Sequence, residues 1–442
     1  MSDVAVKGRT PIERAVRPFQ QFAELEASGG ILLISCTVIA LVWANSGWAA
    51  SYFHLWHTDL TFGFAGRNVS EPLHFWINDG LMALFFLLVG LEIKREALVG
   101  ELASFRKAAL PIAAAIGGML VPAAIFWLLN HAGPGGSGWG IPMATDIAFA
   151  LGVLALLGDR APVSLRVFLA ALAIADDIGA VLVIAFFYTA QISWISLGFA
   201  AFIFASLIVM NRIGVRHPVI YALFGVGLWI AFLKSGIHPT VAGVLLALTI
   251  PARQRIDVPA FLARSESTLD RIRRAEEAGE RSEAIAAKGH AIESLVADCE
   301  RVESPMLRFE HALVPWSKYI IMPVFALANA GVAVGGDSSG SLLQPISLGI
   351  LCGLVLGKPV GVLAFSWLGT WTGLASLPTG VSWRQILGVG ALAGIGFTMS
   401  LFVANLAFGP VPALEAAKVG ILTASLIAGI VGTTLLFQKR PA

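Results

Sequence analysis

Charge is scarce in this chain of 442 residues: Asp, Glu, Lys and Arg together make up 13%, and 57% of the residues are hydrophobic. Soluble proteins carry roughly 25% charged residues, so an ordinary arrangement of two or three soluble domains is excluded. The mean hydropathy of +0.79 fits a membrane protein instead. Cysteine is almost as rare. Cys36, Cys299 and Cys352 are odd in number and far apart, which excludes a disulfide framework and a CxxC metal site. Sustained Lys/Arg runs are missing too, and without a basic face to neutralise phosphates the nucleic-acid-binding class is ruled out. No small-residue cleavage site follows the polar residues 1–28, which carry Glu24 and Glu26 near their end. That stretch reads as a cytoplasmic tail rather than a signal peptide.

What charge there is lies unevenly. Between Pro251 and Val314 stand ten of the 30 Lys and Arg and twelve of the 28 Asp and Glu. On either side, apolar runs recur at the length of about 20 residues that a bilayer-spanning helix needs. They fall near 30–46, 75–98, 108–130, 141–158, 164–188, 192–210, 218–233 and 237–250, then near 315–334, 345–369, 384–408 and 416–437, giving twelve expected helices. Lys94, Arg95, Arg106 and Lys107 follow the second run, Arg160 and Arg166 the fourth, and Arg212 and Arg216 the sixth. The positive-inside rule then puts both termini in the cytoplasm, and Lys439 and Arg440 agree. The expected organisation is a tail (1–28), eight helices within 29–250, a charged cytoplasmic linker (251–314), four helices within 315–437 and a short tail (438–442). Alternation of Leu60, Phe62 and Phe64 before Ala65-Gly66-Arg67-Asn68 predicts a hairpin outside the membrane within 57–70. In the linker, Leu269, Ile272, Ile285, Ile292 and Leu295 have roughly helical spacing, predicting one or two surface helices over 264–303.

Inside the expected spans, Asp146, Asp176, Asp177 and Lys358 are exceptions, as is Asp79, with Glu92, Glu96 and Lys318 nearer the ends. A charge at the bilayer centre costs about 2.5 to 3.5 kcal/mol on insertion scales, so these groups need partners. One Asp with one Lys would read as a buried ion pair holding helices together. Three carboxylates to one lysine leave a negative surplus, which a bound cation or protons must neutralise. Adjacent Asp176 and Asp177 sit about 100° apart around one helix. At a separation of about 6 Å and an effective dielectric of 20 they repel by about 2.8 kcal/mol. Such a pair is suited to trading protons for a cation. Helix breakers stand beside the charges: Gly138-Trp139-Gly140-Ile141-Pro142 precedes Thr145-Asp146, Gly357 and Pro359 flank Lys358, and Gly394-Ile395-Gly396 interrupts the eleventh run. Broken membrane helices are tolerated where their free backbone lines a cavity, and together these breaks point to one site.

The motifs that carry this pattern resemble those of the NhaA-type bacterial sodium/proton antiporters. They are Trp76-Ile77-Asn78-Asp79, Phe85-Phe86-Leu87-Leu88-Val89-Gly90-Leu91-Glu92, Ala144-Thr145-Asp146-Ile147-Ala148-Phe149-Ala150-Leu151-Gly152, Ala175-Asp176-Asp177-Ile178-Gly179, Leu233-Lys234-Ser235-Gly236-Ile237-His238 and Gly394-Ile395-Gly396-Phe397-Thr398-Met399-Ser400. The resemblance covers nearly every span from about 30 to 437. It implies an all-α polytopic protein of twelve helices with inverted repeats, crossing broken helices four and eleven, and an extracytoplasmic β-hairpin that helps join a homodimer in the inner membrane. It also implies that Asp176 and Asp177, with Thr145 and Asp146, form the cation and proton site. Lys358 resembles the lysine that balances the broken-helix dipoles or takes part in proton coupling. Glu92, Glu96, Glu310 and His311 resemble a cytoplasmic pH-response cluster. His238 is likewise a family landmark, but a lone histidine before Pro239 at a helix boundary is more often structural, and Asp79 is read in the same way as structural or unassigned. Two departures from the family pattern stand out: Val314 replaces a second histidine, and the linker 252–309 is longer.

The expectation is therefore a secondary-active antiporter exporting sodium, and also lithium, against inward-moving protons, electrogenic and pH-regulated, with no enzymatic activity and no cofactor. Carboxylate and hydroxyl oxygens suit hard cations, and no Cys/His grouping favours a transition metal. Two other classes fit less well. An intramembrane aspartyl protease also buries two carboxylates, but its aspartates lie on different helices, one in a GxGD motif absent here, and Lys358 would have no role. A channel or a carrier for another solute would favour rings of like groups over carboxylates paired with broken helices.

Overall fold

The structure is a computed structural model describing residues 28–64, 67–133, 135–189, 192–253, 258–277, 281–333, 342–409 and 412–437. The expected tails, apart from Ser28, and the hairpin tip at 65–66 lie outside the described residues. Among those residues, nine helices are long and apolar enough to cross a membrane, and two bent helix pairs raise the number to 11 if each is one span. The protein is a multi-pass membrane protein.

The chain begins with α1 (Ser28–Ala44) and α2 (Ala49–Trp56), which are bent by 116° at the turn between them. Strands β1 (Asp59–Phe64) and β2 (Arg67–Pro72) then pair antiparallel with Leu60 opposite Glu71 and Thr61 opposite Ser70. The Thr61 and Ser70 hydroxyls hydrogen-bond across the ladder at 2.7 Å, so the expected hairpin is present. Next come α3 (Leu73–Val99), α4 (Phe105–Asn130), a 3-10 segment (Gly136–Met143) leading into α5 (Ile147–Leu156), α6 (Val163–Phe187), α7 (Trp194–Arg212), α8 (Pro218–Ser235) and α9 (Val241–Thr249). The linker folds as α10 (Val258–Glu277) and α11 (Arg281–Val302), and the chain ends with α12 (Pro305–Asn329), α13 (Pro345–Trp371), α14 (Trp383–Ala393), α15 (Phe397–Phe408) and α16 (Pro412–Phe437).

The described residues form two compact units, one within 28–82, 96–189 and 317–437 and the other within 83–95 and 192–316. In the first, α4 and α13 approach so closely that a Cβ added at Gly117 would meet the Gly361 carbonyl and the Phe365 side chain. Only glycine fits there. The same contact lays Lys358 of α13 against Gly118 of α4, where an added Cβ would stand 3.6 Å from the lysine Cε. A π-helical turn over Gly353–Gly357 immediately precedes that lysine. Its extra residue per turn re-aims the side chains that follow, a device common at functional sites.

The second unit has its own apolar core, in which Leu87, Leu91, Leu207, Tyr221, Leu228 and Leu246 pack together. Its α9 differs from the expected span 237–250. Nine residues at 1.5 Å each make a helix of about 13 Å, against a hydrocarbon core of about 30 Å. Pro239 and a 2.7 Å bond between His238 Nδ1 and the Thr240 hydroxyl occupy the turn before it. At its other end the Lys94 ammonium donates to the carbonyls of Ala247, Leu248 and Ile250, satisfying helix-end acceptors. The linker's two helices leave and return at one place, because the Met306 N–H donates to the Pro251 carbonyl at 3.1 Å. Residues 305–314, expected in the linker, are the first turns of α12.

Candidate functional site

Two helix breaks meet in the first unit. Residues Ala144, Thr145 and Asp146 are not helical, and neither are Ile395 and Gly396 between α14 and α15. The Asp146 N–H donates to the Ile395 carbonyl at 2.7 Å and the Ser400 hydroxyl donates to the Ile141 carbonyl at 2.8 Å. Backbone groups freed by one break are thus satisfied by the other, which is what hydrocarbon surroundings demand.

Asp146 is wholly buried at this junction and caps two helices at once. Its Oδ1 accepts from the Phe149 N–H of α5 at 2.9 Å. Its Oδ2 accepts from the Thr398 N–H of α15 at 3.2 Å and from the Thr398 hydroxyl. Two positive helix N-termini therefore face one carboxylate, the arrangement in which a buried anion is best stabilised. The opposite ends carry partial negative charge, and a cation stands there: Lys358, wholly buried, donates its ammonium to the Met143 carbonyl at the end of the 3-10 segment.

Lys358 also reaches Asp176 Oδ2 at 2.5 Å, with neither side chain exposed. That same oxygen lies 2.7 Å from the Thr145 hydroxyl, which is 2.9 Å from the Ala393 carbonyl. Thr145 has a single hydroxyl hydrogen, so it serves one of these acceptors at a time. Asp176 Oδ1 is buried and has no hydrogen-bond partner among the described residues. Asp177, one residue along α6, is equally buried and within electrostatic reach of Lys358. Thr145, Asp146, Asp176, Asp177 and Lys358, all singled out in the sequence, are thus brought into one buried cluster. Asp79 is elsewhere, half-buried on a π-helical turn over Trp76–Leu81.

Sequence comparison identifies the lineage of the chain. The family model described as "Na+/H+ antiporter 1" matches residues 20–436. The chain belongs to that family. It is 53% identical to the Na(+)/H(+) antiporter NhaA of Oleidesulfovibrio alaskensis, covering 98% of this chain and 96% of that one. Identity to the NhaA of Koribacter versatilis is 51%, covering 97% and 93%. For NhaA 2 of Syntrophotalea carbinolica it is 49%, covering 95% and 96%. A solved structure of the sodium proton antiporter MjNhaP1 from Methanocaldococcus jannaschii superposes with a TM-score of 0.41 at 13% identity, covering 97% of this chain and 95% of that one, too loosely to bear on the fold.

The second unit of this Na+/H+ antiporter family member holds most of the residues that resemble a pH-response cluster. Buried Glu310 of α12 pairs with Arg95 at 3.3 Å, and exposed His311 pairs with Glu303 at 2.8 Å. Glu92 lies on α3 in that unit, whereas Glu96, on the same helix in the first unit, accepts from the Glu101 N–H at 2.9 Å and closes the turn that ends α3. His238 is engaged with Thr240 and shapes the start of α9. Sequence reasoning used Arg95 only to orient the helices and missed it as the partner of Glu310. Thr398 was noticed in a motif but not as a ligand of Asp146. Its signal was a hydroxyl two residues past Gly396, at the start of a broken helix.

Proposed function

We propose that this protein is a sodium/proton antiporter that also accepts lithium, exporting the cation from the cytoplasm in exchange for protons by alternating access. The reading places it in a bacterial inner membrane as a homodimer with both termini cytoplasmic and with no cofactor or enzymatic step in its cycle. One observation carries it. Asp176, next to Asp177 in α6, shares one oxygen between Lys358 and Thr145, while its other, buried oxygen has no hydrogen-bond partner among the described residues. A buried, unsatisfied carboxylate oxygen next to a second carboxylate is a place for a hard cation or a proton.

In the cycle proposed, sodium enters between Asp176 and Asp177, with the Thr145 hydroxyl as a neutral ligand that turns its hydrogen to the Ala393 carbonyl. The cation takes over from Lys358 as the positive partner of Asp176. As one sodium binds, one proton leaves Asp177 and a second leaves the Asp176–Lys358 pair, whose proton the ammonium holds, so each cycle carries one net positive charge inward and feels the membrane potential. Asp146 stays charged throughout, holding the two helix N-termini together, and Lys358 stabilises the facing carbonyl end. Arg95 and Glu310, with Glu92, Glu96 and His311, set the cytoplasmic pH response. The test uses everted vesicles energised to an acidic interior and read by a pH-sensitive dye. Adding sodium or lithium should dissipate the gradient, and a gradient indifferent to both ions from pH 6 to 9 would refute the exchange.

A further inference from the structure

Three asparagines are gathered in the first unit away from the carboxylates. Asn78 lies on the π-helical turn that opens α3, Asn329 is the last residue of α12, and Asn405 is in the last turn of α15. Asn329 donates to Asn78 Oδ1 at 2.8 Å and to the Phe325 carbonyl at 3.0 Å. Its own Oδ1 accepts from Asn78 at 3.4 Å and from Asn405 at 3.0 Å. Both hydrogens and both lone pairs of one buried amide are therefore in use. Asn405 spends its second hydrogen on the Leu401 carbonyl at 2.8 Å, which fixes its rotamer.

The position of this node on α15 is informative. Thr398, which bonds Asp146, opens that helix, and Asn405 stands seven residues along, two turns or about 10 Å. Between them Phe402 meets Phe325 of α12 edge to face, with centroids 6.3 Å apart and both rings buried. An aromatic layer and then an amide layer thus lie between the carboxylates and the end of α15. In the orientation proposed above, that end is extracytoplasmic. The node also joins unlike partners. α15 bears a residue of the carboxylate network, while Asn78 and Asn329 come from two helices that supply none of the hydrogen bonds of that network described above.

We infer that Asn78, Asn329 and Asn405, above the Phe325–Phe402 contact, are the extracytoplasmic gate of the cation pathway, closed in this structure. The inference rests on the exchange proposed above. Neutral amide bonds suit a gate, because each contributes only about 1 kcal/mol net and water replaces them readily when the helices part. Once parted, three amide oxygens face the pathway, and such oxygens are ligands for a hard cation losing or regaining its hydration shell. A node fixed only for packing would have no need to open.

That difference is the test. Cys36, Cys299 and Cys352 are replaced by serine, Asn329→Cys and Asn405→Cys are introduced together, and the protein is reconstituted in proteoliposomes. Sodium-driven proton flux is measured before and after a short bis-methanethiosulfonate cross-linker, then after dithiothreitol. We expect the cross-link to lower flux at least tenfold and the reductant to restore it, with each single-cysteine variant unaffected by the reagent. Flux through fully cross-linked protein at the rate before cross-linking would overturn the inference. Should that pair fail to fold, Asn78→Cys with Asn405→Cys asks the same question. A second arm does not depend on sodium flux and so separates failure of the gate from failure of the exchange reading. A membrane-impermeant thiol reagent added from the extracytoplasmic side should label Thr398→Cys at least tenfold faster when Asn405→Ala is also present. Equal labelling rates would show that the amides do not close that route.

Discussion

The contact between Lys358 and Asp176 makes a quantitative prediction. Their charged atoms are 2.5 Å apart and both side chains are wholly shielded, so removing either charge strands the other without solvent. Breaking a buried pair in this way costs about 3 to 5 kcal/mol. Lys358→Met, which keeps the stem, also strips the Met143 carbonyl of its donor, and Asp176→Asn leaves the ammonium beside a neutral amide. The double substitution removes both charges and leaves only unpaired neutral groups, at about 1 to 3 kcal/mol. The double variant should therefore be destabilised by at least about 3 kcal/mol less than the sum of the singles. Unfolding in detergent is to be followed for the wild type, both single variants and the double variant, with proton flux measured in parallel. The double variant should recover most of the lost stability and none of the coupled exchange, because a titratable carboxylate and its cationic competitor are both gone. Losses that add to within about 0.5 kcal/mol would mean that the two side chains do not interact, and the reasoning would fail.

Asp177→Asn should abolish exchange, since the amide keeps an oxygen but loses the charge and the proton; full sodium-driven flux would place the cation elsewhere. Asp176→Asn should change the charge moved per cycle, and a reversal potential unchanged from wild type would assign the second proton to another group. Asp146→Asn should lower stability by about 1 to 2 kcal/mol, because it weakens the caps of both α5 and α15, and a wild-type unfolding temperature would show that the capping contacts contribute nothing. Deleting residues 258–302 with a short Gly-Ser bridge should leave exchange near wild type, because Pro251 and Met306 are already hydrogen-bonded across the base of the insertion; loss of flux in a folded variant would make the insertion part of the machinery.

The buried cluster was legible because charge in an apolar run is conspicuous and because Gly and Pro mark where a helix cannot continue. Asp146, Asp176, Asp177 and Lys358 needed no structure to be noticed, and the breaks at 144–146 and 395–396 fell beside the glycines and proline that predicted them. The division of labour among the carboxylates was not legible. Spacing alone does not reveal that Asp146 has both oxygens committed to helix N-termini while one oxygen of Asp176 has no partner among the described residues. The asparagine node left no trace in the sequence either, since a neutral amide barely dents the hydropathy of its span and its partners lie 76 and 251 residues away in the chain. The shortness of α9 was hidden for the opposite reason. Ile237 and Ile250 extend the apolar run past helix ends set by Pro239 and by the carbonyls that Lys94 caps.

Under the exchange proposed above, the arrangement also accounts for how one site could bind a cation and protons without binding both together. Asp176 Oδ2 already has a positive partner in Lys358, and a second full cation against the same oxygen would meet that ammonium across hydrocarbon rather than water. In the proposed cycle sodium and the lysine therefore compete for one carboxylate, and a displaced lysine keeps the Met143 carbonyl as its partner. In that cycle Asp146 takes no part in the competition, because both of its oxygens already accept from the first turns of α5 and α15, through the Phe149 and Thr398 amides and the Thr398 hydroxyl. If every carboxylate were free, the surplus negative charge would hold sodium through the whole cycle and nothing would release it. If none were free, the site would be an inert ion pair. In the proposed cycle, fixing Asp146 at the helix ends, contesting Asp176 between lysine and sodium, and placing Asp177 one residue along is the distribution that lets binding of one ion favour departure of the others.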